Sequence, residues 1–227
     1  IRITWKLIYN LCLTMHKCGT RAKEKIANLI SLSSPMASRE VSEGKFVPEE
    51  GNFLQQHAFF FDQNQDGIIY PWETFHGFRK IGFGILISFL GGVLINGALS
   101  HKTRPGKFPS LLFPIEIKNI KKAKHGSDSG VFNDEGRFVP EKFDEIFYKH
   151  AKTHKDALTY NELKNMLKSN REPCNITGWI TAFAEWQALY MIGKDRNGLL
   201  AKDTVRGVYD ATLFNNLANT RNHTKSE

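Results

Sequence analysis

The chain has 227 residues, 41% of them hydrophobic, which is enough for one large domain or two small ones. A charged fraction of 24% with ordinary glycine and proline content argues against wholesale disorder and fibrous repeats. Thirty-one Lys and Arg against 23 Asp and Glu leave a net charge of +8, which favours an acidic partner surface such as anionic lipid or nucleic acid. No nucleic-acid-binding module accompanies the charge, so nucleic acid is not expected as a partner. Cys12, Cys18 and Cys174 form neither a disulfide framework nor a CxxC pattern, which favours a reducing, cytosol-facing compartment.

The first residues, IRITWKLIYNLCLTMHKCGT, hold an apolar run broken by Asn10 and followed by no small-residue cleavage site. Met36 opens MASREVSEGKFVP, which reads as a natural start, so residues 1–35 are expected to be a variable extension or a gene-model artefact, and the variable or disordered N-terminal region is expected to run over 1–42.

A calcium module is expected over residues 43–80. Asp62-Gln63-Asn64-Gln65-Asp66-Gly67-Ile68-Ile69-Tyr70-Pro71-Trp72-Glu73 satisfies each demanding position of an EF-hand loop. Calcium takes six to eight hard oxygen ligands. The spacing brings the side chains of Asp62, Asn64 and Asp66 to one centre, adds the carbonyl of Ile68, and closes with both oxygens of Glu73. Gly67 allows the sharp turn, and Pro71 falls where an exit helix starts and needs no N–H. Phe53, Leu54, His57, Phe60 and Phe61 form the apolar stripe of an entering helix, and Trp72, Phe75 and His76 begin a similar stripe after the loop.

Four further segments echo the centre of this loop. Gly44–Pro48 and Gly136–Pro140 match Gly67–Pro71, and 156–160 and 198–202 match it more weakly. Where the first acidic ligand should stand these copies carry Arg39, Val131, Ala151 and Gly193, so they are read as degenerate structural partners. The expected pairings are 44–48 with 67–71 and 136–140 with 156–160.

Residues 81–117 are read as a hydrophobic membrane segment with a proline-rich bend. IGFGILISFLGGVLINGALS runs 20 residues without a charge, about 30 Å as a helix and so one hydrocarbon thickness. A buried helix of a soluble protein has the same length. Pro105, Pro109 and Pro114 stop the helix and form the bend. Lys118, Lys121, Lys122 and Lys124 follow beside apolar residues, an arrangement suited to anionic headgroups. Residues 118–217 complete a C-terminal helical domain, and 218–227 form a polar tail. The fold class is therefore mainly α: an EF-hand-like helical domain with degenerate copies and a monotopic membrane-associated segment.

FFDQNQDGIIYPWET, the uncharged segment, the bend, IKNIKKAKHGSDSG and GRFVPEKFDEIF together resemble the caleosins, plant lipid-droplet calcium proteins also called peroxygenases. The likeness runs from Gly44 to Leu217 and includes DALTYNEL, GWI and KDRNGLL. It implies one b-type haem, a fatty-acid hydroperoxide as oxidant and unsaturated fatty acids as substrates. It also implies residence on lipid droplets or endoplasmic reticulum. As haem ligands it implies His57, in QHAFFFD, and His125, in AKHGSD. On the residues alone His57 reads as a satisfied core histidine and His125 as a loop histidine among lysines; His76, His101, His150 and His154 are left structural.

The bend departs from the family pattern: Leu111 replaces the second proline of Pro-Ser-Pro, and His101, Lys102, Arg104 and Lys107 crowd its entry. Three obligate cations at bilayer depth would cost roughly 8–10 kcal/mol, so a shallow, monotopic insertion is expected. A single span would also put His57 and His125 on opposite faces of the membrane. Two histidines filling both axial positions would leave no open site for a peroxide, so either one dissociates or only one ligates. The functional expectation is a calcium-dependent haem peroxygenase at lipid droplets or endoplasmic reticulum. The second reading is a non-catalytic calcium-binding coat or tether. No motif settles whether the chain forms an oligomer.

Overall fold

The computed structural model describes residues 45–108, 110–124 and 126–226, the last five as backbone only. The expectations placed on residues 1–44, Pro109 and His125 lie outside the described residues.

The described chain is mainly helical. Asn52 opens α1 (Phe53–Phe59) by accepting the Gln55 N–H at 3.1 Å, the usual way a helix satisfies a free donor at its start. The loop then enters β1 (Ile68–Ile69), and α2 (Pro71–Ile81) begins on the proline, whose missing N–H leaves no helical bond unmade. The uncharged run forms α3 (Ile85–Thr103); the bend returns through β2 (Ile115–Glu116) into a 3-10 helix, Ile117–Ala123. Then come α4 (Pro140–His150), β3 (Ala157–Leu158), α5 (Tyr160–Ser169), α6 (Ile176–Gly193), β4 (Leu200–Ala201), α7 (Lys202–Tyr209) and α8 (Thr212–Ser226). The last helix runs through most of what the sequence reads as a polar tail.

The strand pairings differ from those expected. β1 pairs antiparallel with β2, Ile68 opposite Glu116 and Ile69 opposite Ile115, and β3 pairs with β4, Ala157 opposite Ala201 and Leu158 opposite Leu200. Burial explains the first choice: Ile115 and Ile117 give Ile69 an apolar neighbourhood to complete, whereas Val47 is 77% exposed. Residues 45–48 cross the loop instead, with the Phe46 N–H donating to the Gln65 carbonyl at 2.7 Å. Phe138 bridges Phe132 six residues earlier, leaving the weaker echoes at 156–160 and 198–202 to pair with each other. The segment expected as a separate membrane element thus contributes a strand that pairs beside the 62–73 loop.

On α2 the packed face is Glu73, Thr74, Gly77 and Ile81; Trp72, read as part of an apolar stripe, is 50% exposed and stacks on Tyr70. The C-terminal half has its own core, built from Phe143, Leu158, Leu163, Met166, Leu200 and Val205. A smaller one joins the two halves through Ile81, Phe83 and Phe214.

By length and composition α3 could cross a membrane, yet its polarity is reversed relative to a soluble helix. Ser88, Gly92, Asn96, Ser100 and Thr103, spaced by four and then three residues, face the protein. Ile85, Leu86, Phe89, Leu90, Val93 and Leu94 face outward. Small residues let the backbones approach: a Cβ at Gly92 would lie 2.6 Å from the Pro71 carbonyl oxygen. Asn96 is fully buried. Its Oδ1 accepts the Thr74 hydroxyl at 2.6 Å, and its Nδ2 donates to the carbonyls of Ile69 at 2.9 Å and Phe113 at 3.0 Å. One side chain therefore ties α3 to β1, to α2 and to the bend. At the exit of α3, Arg104 and Lys107 both pair with buried Glu116, whose N–H donates to Thr103 Oγ1 at 3.2 Å.

Replacing Asn96 by Leu would remove the acceptor of the buried Thr74 hydroxyl and one donor each from the Ile69 and Phe113 carbonyls. The Asn96→Leu protein is expected to lose about 3–5 kcal/mol of stability, read as an earlier urea midpoint. A midpoint within 0.5 kcal/mol of the parent, about the scatter of neutral surface changes, would contradict this account.

Candidate functional site

The loop between α1 and α2 closes on its own backbone. Gly67 sits at φ +81°, in the left-handed region its position requires, and the ring of Phe46 lies against it, 2.8 Å from where a Cβ would stand. Asp62 accepts the N–H groups of Gln65 and Gly67, both at 2.8 Å. Asp66 accepts the Ile68 N–H at 2.7 Å, and Asn64 Oδ1 accepts the Asp66 N–H at 3.2 Å. Glu73 reaches back from the first turn of α2, Oε1 accepting the Gln63 N–H at 3.1 Å and Oε2 the Tyr70 N–H at 2.9 Å.

Asp62 and Glu73 are each buried although they carry carboxylates. Burial raises the pKa of Asp62, and the Gly67 hydrogen bond works against that rise. In chemistry the donor set fits a hard divalent cation: carboxylates from Asp62, Asp66 and Glu73, the amide oxygen of Asn64 and the Ile68 carbonyl, all on one loop. In this conformation, however, the carboxylates are turned to backbone N–H groups. Among the described residues no three His, Cys, Asp or Glu side chains gather as a metal-holding cluster. Beside the loop lies a hollow of about 310 Å³ lined by Gln63, Asn64, Trp72, Glu73 and His76.

His57 stands on α1, five positions before Asp62. Its Nδ1 is 2.8 Å from the Val208 carbonyl, at the end of α7. A carbonyl can only accept, so Nδ1 carries the proton and Nε2 keeps its lone pair. Burial lowers the pKa of the ring, outweighing the Val208 bond and the charge of Glu185, and so favours the neutral form. The Phe214 ring packs edge-on at 4.9 Å. The residue thus has the tautomer and neutrality of an imidazole ligand, with the Val208 carbonyl fixing its orientation through the Nδ1 proton, as carbonyls and carboxylates do for histidines at metal centres. His125 lies outside the described residues, so the expected pairing of the two histidines has no geometry here.

Val208, Phe214 and Asn96 were not singled out from sequence as site partners. The first acts through its backbone, which leaves no side-chain signal. Asn96 is a polar interruption of the uncharged run, and its place in the Ser88-Gly92-Asn96-Ser100 row marks the inward face.

Fold and site define a helical protein with one loop of EF-hand pattern, a half-buried histidine held neutral before it, and a long apolar helix turned outward. The family description "Caleosin related protein" matches residues 49–218, and the chain belongs to that family. It is 58% identical over 192 residues to "Probable peroxygenase 4" of Arabidopsis thaliana, covering 85% of this chain and 98% of that protein. It is 54% identical over 168 residues to "Peroxygenase" of Lilium longiflorum, covering 74% of this chain and 70% of that protein. It is 46% identical over 150 residues to "Probable inactive peroxygenase-like protein" of Arabidopsis thaliana, covering 66% of this chain and 72% of that protein. No solved structure matches.

The segment before α5 repeats the closure of the loop without its acids. Glu162 stands where Glu73 does, eleven residues after Ala151 as Glu73 is after Asp62. Its Oε1 accepts the N–H groups of Lys152 and Thr153 at 2.8 and 2.7 Å, and its Oε2 those of Thr159 N–H and hydroxyl, both at 2.8 Å. Burial alone would raise its pKa, but these donors together draw it from 4.5 to about 2. A depressed carboxylate contributes stability above its unfolded pKa and loses it as protons bind the unfolded chain first. The stability gap between the parent and Glu162→Gln is therefore expected to be full at pH 6 and to shrink as pH falls from 4.5 toward 2. Urea unfolding across that range measures it, and a gap independent of pH would refute the assignment.

Proposed function

We propose that the chain is a calcium-dependent haem peroxygenase that uses fatty-acid hydroperoxides to oxygenate unsaturated lipids at the surface of lipid droplets or endoplasmic reticulum. The enzyme class is supported by the two relatives named peroxygenase, at 58% and 54% identity. The observation that carries the cofactor reading is His57, held neutral with Nδ1 bonded to Val208 and Nε2 left as a donor atom. His57 would hold haem b, with His125 as the second candidate. When bound, the haem supplies transfer of one oxygen from the hydroperoxide to a double bond or sulfide.

The chain's own part is to present the imidazole in one tautomer and to pack Phe214, itself backed by Phe60 and Phe61, edge-on against it. Calcium would bind Asp62, Asn64, Asp66, the Ile68 carbonyl and Glu73. Because that loop begins at the end of the helix bearing His57, filling it would fix the pose of the histidine. The outward apolar face of α3 supports attachment to lipid. Its small and polar row, fastened to the body along the whole helix, favours lying along the surface over crossing it. Pro105 and Pro114 flank the bend, which would return the chain to the same side.

A second reading, a calcium-binding coat or tether without chemistry, is favoured by the similarity to the relative named inactive. One experiment separates the two. Haemin-reconstituted protein is expected to show a Soret band that His57→Ala loses, together with hydroperoxide-driven epoxidation of oleate. Glu73→Gln is expected to weaken calcium binding at least about tenfold by calorimetry, since Glu73 is the residue expected to give two ligand oxygens. No Soret band in the reconstituted parent would leave the coat or tether; calcium removal without effect on absorbance or turnover would remove calcium from the mechanism.

A further inference from the structure

Residues 101–124 carry seven Lys or Arg and a single Glu, a net +6 within a chain of net +8. That one acid, Glu116, is buried and already paired with Arg104 and Lys107. Lys124 is turned inward, donating to the carbonyls of Phe132 and Asn133 at 2.6 and 3.1 Å. The exposed Lys102, Lys118, Lys121 and Lys122 form no ion pair among the described residues.

Three of these lysines share one element. In the 3-10 helix Ile117, Ile120 and Ala123 are buried, which fixes the turn so that Lys118 and Lys121 eclipse on an outer face with Lys122 beside them. Glu116 begins this helix and also holds the two cations of the bend, so the lysines and the bend share one anchor. From the bend project Phe108 and Leu111, 93% and 92% exposed, with Leu112. An apolar tip next to unpaired cations, with its one carboxylate neutralised, matches the layered chemistry of a lipid surface: acyl chains below, phosphates above.

We infer that the bend and the 3-10 helix form a docking site selective for anionic phospholipid, the tip entering the acyl layer while Lys118, Lys121 and Lys122 meet the headgroup phosphates. This rests on the lipid-surface reading above and adds selectivity to it: the apolar face of α3 binds any lipid, and the lysines choose among lipids.

The test is flotation of the full chain with vesicles of phosphatidylcholine alone or with 20 mol % phosphatidylserine, in 0.1 M and 0.5 M NaCl. Binding is expected to rise by one to two orders of magnitude with phosphatidylserine at low salt and to lose that gain at high salt. The triple variant Lys118→Gln/Lys121→Gln/Lys122→Gln, whose changes are all at exposed positions, should keep the parent's circular dichroism and its phosphatidylcholine binding but lose the gain. Phe108→Ser/Leu111→Ser should weaken binding to both vesicles. Equal binding to the two vesicles would overturn the selectivity and leave the lipid-surface reading standing. Binding to neither, or a lysine-independent dimer in sedimentation with no flotation, would overturn both.

Discussion

A polar side chain in the middle of an apolar helix sets the arrangement of the N-terminal half. Burying an amide without partners costs several times what a single hydrogen bond contributes, so Asn96 is stable only where three partners converge. Those partners are Thr74 on α2, Ile69 on β1 and Phe113 in the bend, and no other rotation of α3 supplies all three. Fixing that rotation turns Ser88, Gly92 and Ser100 inward as well and leaves the leucines and phenylalanines outward. The outward face follows from satisfying one amide; it does not need a lipid to define it.

The same bonds make the loop and the helix parts of one body. Thr74 is the neighbour of Glu73, and the Ile69 carbonyl belongs to the strand that leaves the loop. β2 reaches β1 only because the bend brings the chain back, and the bend is held by Asn96 on one side and Glu116 on the other. The boundary expected between residues 80 and 81 therefore marks a change of composition, not a change of packing unit.

How much could be read from sequence differs between the parts. The turn of the loop was legible because its requirements are local: a glycine at positive φ and a proline opening a helix. Helix α3 was legible in length and composition but not in orientation, because the decisive residue is polar and its partners are distant in sequence. The strand partners were misassigned because the echoes at 156–160 and 198–202 do not say locally that they pair with each other, and β2, the partner of β1, carries no echo at all; burial of Leu158 and Ile69 decides both pairings. The stripe expected from Trp72 failed for a related reason: the inward face of α2 is occupied by Glu73, a charged residue buried because it closes the loop.

The bond between His57 and Val208 joins positions 151 residues apart, and it imposes an order on assembly. The loop, α2 and α3 leave the ribosome before α7 exists, so His57 lacks its acceptor until Val208 follows. Until Val208 arrives, both ring nitrogens can carry the proton and the ring has no fixed azimuth on α1. The C-terminal helices therefore act as a completion signal. A chain ended before α7 lacks the carbonyl that sets the tautomer of its histidine.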